Sequence, residues 1–128
     1  MTRWRMSNFS HNIAPYIKRE LLRSYKAQKK GDSVMAFRFL ENAHVLGQES
    51  TYWHVKVHFF MLRWALKQGD IKEINGQIMR IIGAALLTAI DGVPIGNTGG
   101  SNVHALKVMP ISAEHAEIII KTKHYKNN

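Results

Sequence analysis

The stretch FLENAHVLGQESTYWHVKVHFF, residues 39–60, places Glu41 and three histidines in a sequence that otherwise has the pattern of a protein core. Glu41 and His44 precede a short turn at Gly47, and His54 and His58 follow it. Side chains three or four residues apart share one face of a helix. Because a short turn sets consecutive helices antiparallel and side by side, we expect Glu41 and His44 to face His54 and His58 across one interface.

The sequence on both sides predicts further helices; the first three each end at a glycine, and a capping side chain begins the helix that follows. The predicted helices run from 12 to about 30, from a cap at 32 or 33 to 47, from 52 after a cap at 50 or 51 to about 68, and from a cap at 70 to about 90. The third helix is apolar on nearly every side, which predicts a position in the middle of the domain.

A weak internal repeat relates the first two helices to the next two. Gly31-Asp32 aligns with Gly69-Asp70 at an offset of 69 − 31 = 38 residues, close to the period of about 34 in tetratricopeptide repeats. We therefore predict an all-α fold: a compact bundle of two helical hairpins with tetratricopeptide-like turns and a Gly-rich C-terminal segment. A large exposed apolar patch on the third or fourth helix would indicate a homodimer.

The length of 128 residues predicts one domain. We assign residues 1–11 to a flexible N-terminal arm, 12–113 to a single helical domain that includes a Gly-rich loop at 91–110, and 114–128 to a basic C-terminal tail. The most apolar stretch, 78–90, is shorter than the roughly 20 residues that span a bilayer, and the N-terminus does not resemble a signal peptide. We therefore expect a soluble, cytoplasmic protein.

The chain has no cysteine, so any metal must be held by nitrogen and oxygen. Three imidazoles and a carboxylate suit zinc or another divalent transition metal, and the proposed ligands are His44, His54, His58 and Glu41. Such a site would serve sequestration, sensing or delivery, and its affinity should fall below about pH 6 as histidines protonate. The alternative is a purely structural cluster, in which these side chains satisfy one another's hydrogen bonds in the core.

The Gly-rich segment suggests either an anion site or a structural loop. Its backbone N–H groups could surround an anion, or its glycines could adopt positive φ while its asparagines bond their own backbone. His104 follows closely and could add to the histidine cluster. The residues concerned are Gly96, Asn97, Gly99, Gly100 and Asn102.

The formal net charge of +9 favours an acidic partner. One face of the first helix is basic and could bind nucleic acid or an acidic protein, although such faces are usually just solvated. No catalytic motif is present: the chain lacks a Gly-x-Ser-x-Gly elbow and a His-Glu-x-x-His pair. The basic residues are Lys18, Arg19, Arg23, Lys26 and Lys30.

The segments AFRFLENAHVLGQ, WHVKVHFFMLRWALKQGD and GNTGGSNVHALKVMPI, in this order, resemble a family of bacterial proteins known only as domain of unknown function 3703. The resemblance covers residues 17–111. It implies that the three histidines and the Gly-Asn loop are features of the family, but it carries no assigned activity. The proximity of some members' genes to metal-resistance genes favours metal binding.

Overall fold

The computed structural model describes residues 7–89, 96–104 and 106–125, and residues 87–89 by their backbone alone. It contains five helices: α1 (Asn8–Lys29), α2 (Ser33–Gly47), α3 (Thr51–Gln68), α4 (Ile71–Ala89) and α5 (Ala113–His124). No strand occurs in these three ranges. The prediction of an all-α fold is confirmed.

Local capping explains where the helices begin and end. Asp32 and Ser50 accept hydrogen bonds from the backbone N–H groups of Met35 and Trp53, and so cap α2 and α3. Gly69 ends α3 with a left-handed φ of 67°, which a glycine adopts without strain. Asp70 then accepts a bond from the N–H of Glu73 in the first turn of α4.

Two segments at the ends of the chain are more helical than expected. Helix α1 begins at Asn8 rather than at residue 12, because Ser7 caps it by accepting from the N–H of Ser10. Residues 8–11 of the predicted arm are therefore helical. Helix α5 occupies most of the segment that we assigned to a basic tail, and Ser112 caps it. The division of the chain into domains stays a prediction.

The core lies where α1, α2 and α3 meet and where α5 packs across α1 and α2. Ile13, Ile17, Val57 and Met61 are completely buried there. Helix α4 packs along α3. The pairing of the helices into two similar hairpins with tetratricopeptide-like turns stays a prediction.

Helix α3 contacts α1, α2 and α4, but it is not buried on every side. Its Phe59 and Leu66 are 51% and 59% exposed, because α2 and α4 cover only part of its surface. An apolar composition therefore did not imply burial on every side. Helix α4 also exposes apolar side chains, namely Ile71, Ile78, Met79, Ile82 and Leu86. The oligomeric state stays a prediction.

The turn between α2 and α3 packs against α1. A Cβ at Gly47 would lie 2.8 Å from Ile17 Cδ1 and 2.8 Å from Trp53 Cβ, so only glycine permits this close approach. The hydroxyls of Ser10 and Ser50 are 2.6 Å apart, and the Trp53 indole N–H donates to the Ser10 carbonyl at 2.9 Å. These contacts fix the helix ends that carry the histidines.

None of the helices in the described ranges is long and apolar enough to cross a membrane. The basic residues Lys18, Arg19, Arg23 and Lys26 of α1, and Lys30 directly after it, are all exposed, so a partner could reach them. The identity of such a partner stays a prediction.

Candidate metal centre

Three histidines meet between α2 and α3. His44, His54 and His58 are 2%, 5% and 2% exposed, and one ligand nitrogen from each lies within 4.8 Å of the others. The ring centroids are 4.8 Å apart for His44 and His54, 4.6 Å for His44 and His58, and 5.1 Å for His54 and His58. The group has the donor number and spacing that could hold a metal ion.

The ring of His44 is fixed by the Gly-rich loop. The carbonyl of Asn97 lies 2.7 Å from His44 Nδ1, and because a carbonyl only accepts, Nδ1 must carry the proton. Gly99 presses against the same ring: a Cβ there would lie 2.6 Å from His44 Cδ2. The loop therefore sets both the tautomer and the position of His44.

The ring of His58 is fixed by α4. Gln77 Oε1 lies 2.6 Å from His58 Nδ1, while Gln77 Nε2 donates to the Gly99 carbonyl at 2.9 Å and to Glu73 Oε2 at 3.3 Å. Rotating the amide by 180° would point its oxygen at two acceptors, so these partners fix its orientation. His58 Nδ1 must therefore donate to Gln77.

Both bonds leave a lone pair on the opposite ring nitrogen. His44 Nε2 and His58 Nε2 lie 3.0 Å apart. With both Nδ1 atoms protonated, neither Nε2 of the neutral rings carries a hydrogen to donate. The two lone pairs face each other, which is unfavourable unless a cation lies between or beside them.

Burial lowers the pKa of all three histidines, so the rings stay neutral. Desolvation, with the neighbouring His58, lowers the pKa of His54 to about 3. Desolvation also lowers the pKa of His58 to about 4. The pKa of His44 lies well below its usual value because the ring is buried and faces two other imidazoles. Neutral imidazole is the form that binds a metal.

The three-histidine group does not include Glu41, which we expected as the fourth ligand. The Glu41 carboxylate forms a hydrogen bond with Thr98, and burial raises its pKa. Glu41 lies a helical turn before His44, where the Gly-rich loop supplies the closer partner. The geometry thus gives no support to Glu41 as a ligand.

The Gly-rich loop has the bonding of a structural element. Asn97 Oδ1 accepts from the N–H of Gly99, and Asn97 Nδ2 donates to the carbonyls of His104 and Lys107 at 2.9 and 2.8 Å. Gly96 and Gly99 have φ angles of 83° and 88°. Anion binding by this loop stays a prediction.

Three further loop residues lie away from the histidine rings. A Cβ at Gly100 would approach Phe37 Cε1 at 3.1 Å, and Asn102 is exposed. His104 is also exposed, and its Nδ1 accepts from the N–H of Leu106 at 3.1 Å. His104 is therefore not part of the three-histidine group.

Sequence reasoning missed the polar face of α4. Glu73, Gln77 and Arg80 recur at intervals of four and three residues, so they share one face of the helix. Glu73 and Gln77 are buried beside the loop, where Glu73 accepts from the N–H of Ser101 at 2.8 Å. A polar stripe in an otherwise apolar helix was the signal that could have indicated them.

A cavity of about 280 Å³ opens beside the histidines. It is lined by the three imidazoles together with residues of α4 and Leu106. A metal held by three histidines would therefore have a remaining coordination position on the side of the cavity.

The comparisons with known proteins identify a family and no activity. No curated protein matched the chain, and no solved structure matched it. One family model matches residues 11–119, most of the chain, and it includes all three histidines. The chain belongs to the family described as "Protein of unknown function (DUF3703)".

Proposed function

We propose that this protein binds one divalent transition metal ion through His44, His54 and His58, and that it serves metal sequestration, sensing or delivery. The observation that carries the proposal is the pair of lone pairs at His44 Nε2 and His58 Nε2, 3.0 Å apart. Each ring is held in the metal-binding tautomer by a partner at its Nδ1, an arrangement that metal-ligating histidines commonly use.

The competing explanation is a hydrogen-bonded core network. Such a network requires a proton between the two Nε2 atoms, and neither Nδ1 can give up its own without leaving a hydrogen bond unmade. An additional proton would make one ring cationic, which its burial opposes. A metal ion satisfies both lone pairs without these costs.

The donor set narrows the class of metal. Nitrogen donors of intermediate softness suit zinc, cobalt, nickel, copper and ferrous iron. Three such donors are compatible with a tetrahedral ion and with a five-coordinate ion. Calcium and magnesium prefer oxygen and are not expected to bind here. The absence of a carboxylate from the group leaves at least one position for an external ligand.

The test is metal binding by histidine variants. Metal-free protein is titrated with Zn²⁺ and Co²⁺ by calorimetry and absorbance, and the purified untagged protein is subjected to elemental analysis. We expect one ion per chain. His54→Ala should lower the metal affinity by more than about 100-fold. Loss of a residue that only hydrogen-bonds to a ligand costs about 10- to 100-fold, and loss of the ligand itself should cost more.

Two matched variants make this test specific. His104→Ala removes an exposed histidine outside the group and should leave the affinity within about 2-fold of wild type, since no ligand is lost. Glu41→Gln should likewise leave it nearly unchanged. Equal binding by wild type and His54→Ala would overturn the proposal, and a large loss with Glu41→Gln would restore Glu41 as a ligand.

A further inference from the structure

Helix α4 exposes apolar residues and buries polar ones. A helix at the surface of a globular protein normally does the opposite. In α4, Glu73 and Gln77 are buried, whereas Ile71 and Met79 are 71% and 69% exposed. Of the five described helices α4 contacts only α3, so no other described helix covers its outer side. An exposed apolar side of this kind indicates an interface with another molecule.

The exposed residues of α4 follow a seven-residue repeat. Between residues 71 and 86, every exposed position lies on or directly beside one line along the helix. Successive positions on this line are four and three residues apart in alternation, which is the spacing along the contact line of a coiled coil. Met79 and Leu86 lie beside the line and widen it. We call the residues on the line the α4 stripe: Ile71, Asn75, Ile78, Ile82 and Ala85.

The distribution of charge favours a second copy of the chain as the molecule that covers the α4 stripe. The formal net charge is +9, so two copies repel each other wherever their basic surfaces meet. Among the exposed positions of residues 71–86, only Lys72 carries a charge. Two such chains can therefore meet at the stripe with little repulsion. An acidic protein or an anionic membrane surface would instead match a basic surface, which α4 does not present.

Asn75 is the polar residue of the α4 stripe, and it distinguishes among apolar partners. A lipid or a wholly apolar protein surface would bury its amide without a hydrogen-bond partner, which is unfavourable. In a parallel pair of α4 helices in register, the two Asn75 side chains face each other, and each amide can donate to the other. A single buried asparagine at this kind of position fixes the register and the number of helices in coiled coils.

We propose that the α4 stripe is the contact between two copies of this chain, which form a symmetric dimer with their α4 helices parallel and in register. Each residue of the stripe then meets the same residue of the other copy. Met79 also lines the cavity beside the histidines, so the second copy would border the proposed metal site. The inference rests on the surface of α4 and does not depend on metal binding.

Sedimentation equilibrium of the untagged protein measures the number of chains in each particle, and we expect a dimer at micromolar concentration. Ile82→Glu should weaken the association by about 100-fold or more, because it sets two like charges face to face in an apolar contact. Its control is Leu22→Glu, which alters a residue of α1 that is 51% exposed, against 57% for Ile82. This control should associate as wild type does. Both side chains are exposed in the single chain, so both variants should fold.

Disulfide formation tests the direction of the helices, because the chain has no cysteine of its own. Asn75→Cys and Ile82→Cys should each give an intermolecular disulfide on oxidation, since facing residues of a parallel pair approach the Cα separation of about 4.4–6.8 Å that a disulfide spans. Leu22→Cys should not. A monomeric wild type would mean that another part of the chain or a different partner covers the stripe, and it would overturn this inference. Equal weakening by both glutamate variants, or no disulfide at Asn75 and Ile82, would overturn it as well. Each of these outcomes leaves the proposed metal site untouched.

Discussion

Single residues at the site are constrained by contacts on two sides. Gly99 illustrates this, because it combines a φ of 88° with van der Waals contact to the ring of His44. Any side chain there would be strained and would also push the ring away from Asn97. The loop thus positions the ring of His44, a proposed metal ligand, through a residue that has no side chain of its own.

We expect Gly99→Ala to weaken metal binding by about 10-fold or more, in the range found when an outer partner of a ligand is lost. The matched control is Gly69→Ala, since Gly69 has a φ of 67° but no atom within 4 Å of its Cβ position. Both variants should lose about 1 kcal/mol of unfolding free energy from backbone strain. Calorimetric metal titration and urea denaturation measure the two effects, and equal metal affinities would contradict the assigned role of Gly99.

At the scale of helices and loops, local signals were sufficient for most boundaries. Gly69 ends α3 as predicted, and Asp32 and Ser50 are each one of the two cap positions that the sequence allowed, because capping depends on neighbours within a few residues. The expectation that His44 and His58 face each other between α2 and α3 also followed from helical spacing. The partners Gln77 and Asn97 did not, since they arrive from distant segments and their contacts depend on tertiary packing.

The turn between α2 and α3 gives a prediction at this scale. Ser50 caps α3 and also contacts the buried hydroxyl of Ser10 at 2.6 Å. We expect Ser50→Ala to lower the unfolding free energy by about 1–2 kcal/mol, because it removes a cap and leaves a buried hydroxyl with fewer partners.

Ser112→Ala is the control, because Ser112 caps α5 at an exposed position. It should lower the unfolding free energy by only about 0.5–1 kcal/mol. Denaturant unfolding of both variants gives the comparison. A loss at Ser112 as large as that at Ser50 would show that the buried contact contributes nothing.

For the whole molecule, the buried histidines make stability depend on pH. The unfolded chain binds protons at a pKa near 6.5, whereas the pKa values of His54 and His58 in the fold are about 3 and about 4. The unfolded state therefore takes up more protons as the pH falls below 6.5, and stability decreases with it. The full stability is present above this value.

We expect the metal-free protein to lose roughly 3 kcal/mol of unfolding free energy for each of His54 and His58 between pH 6.5 and pH 4, as an upper limit. Urea denaturation in the presence of a chelator measures this loss. His58→Gln should reduce the dependence, and replacement of the exposed His104 should leave it as in wild type. A flat profile in wild type would contradict the burial of neutral imidazoles.

The same burial revises the pH range expected for metal binding. The sequence suggested that affinity falls below about pH 6, but the folded site is already neutral well below that value. Within the folded protein the affinity should therefore hold to about pH 5, and binding at pH 7 should release almost no protons. The enthalpy of binding should then be the same in buffers of different ionisation enthalpy.

The near-complete enclosure of the three rings also bears on how long an ion would stay. A large chelator in solution has no direct access to nitrogens on rings that are 2–5% exposed, and the cavity of about 280 Å³ beside them admits only small molecules. Release then waits for a local opening of the protein, an event of microseconds to seconds, rather than for collision with the chelator. The rate of metal loss should level off as the chelator concentration rises, so residence time and affinity can be altered independently.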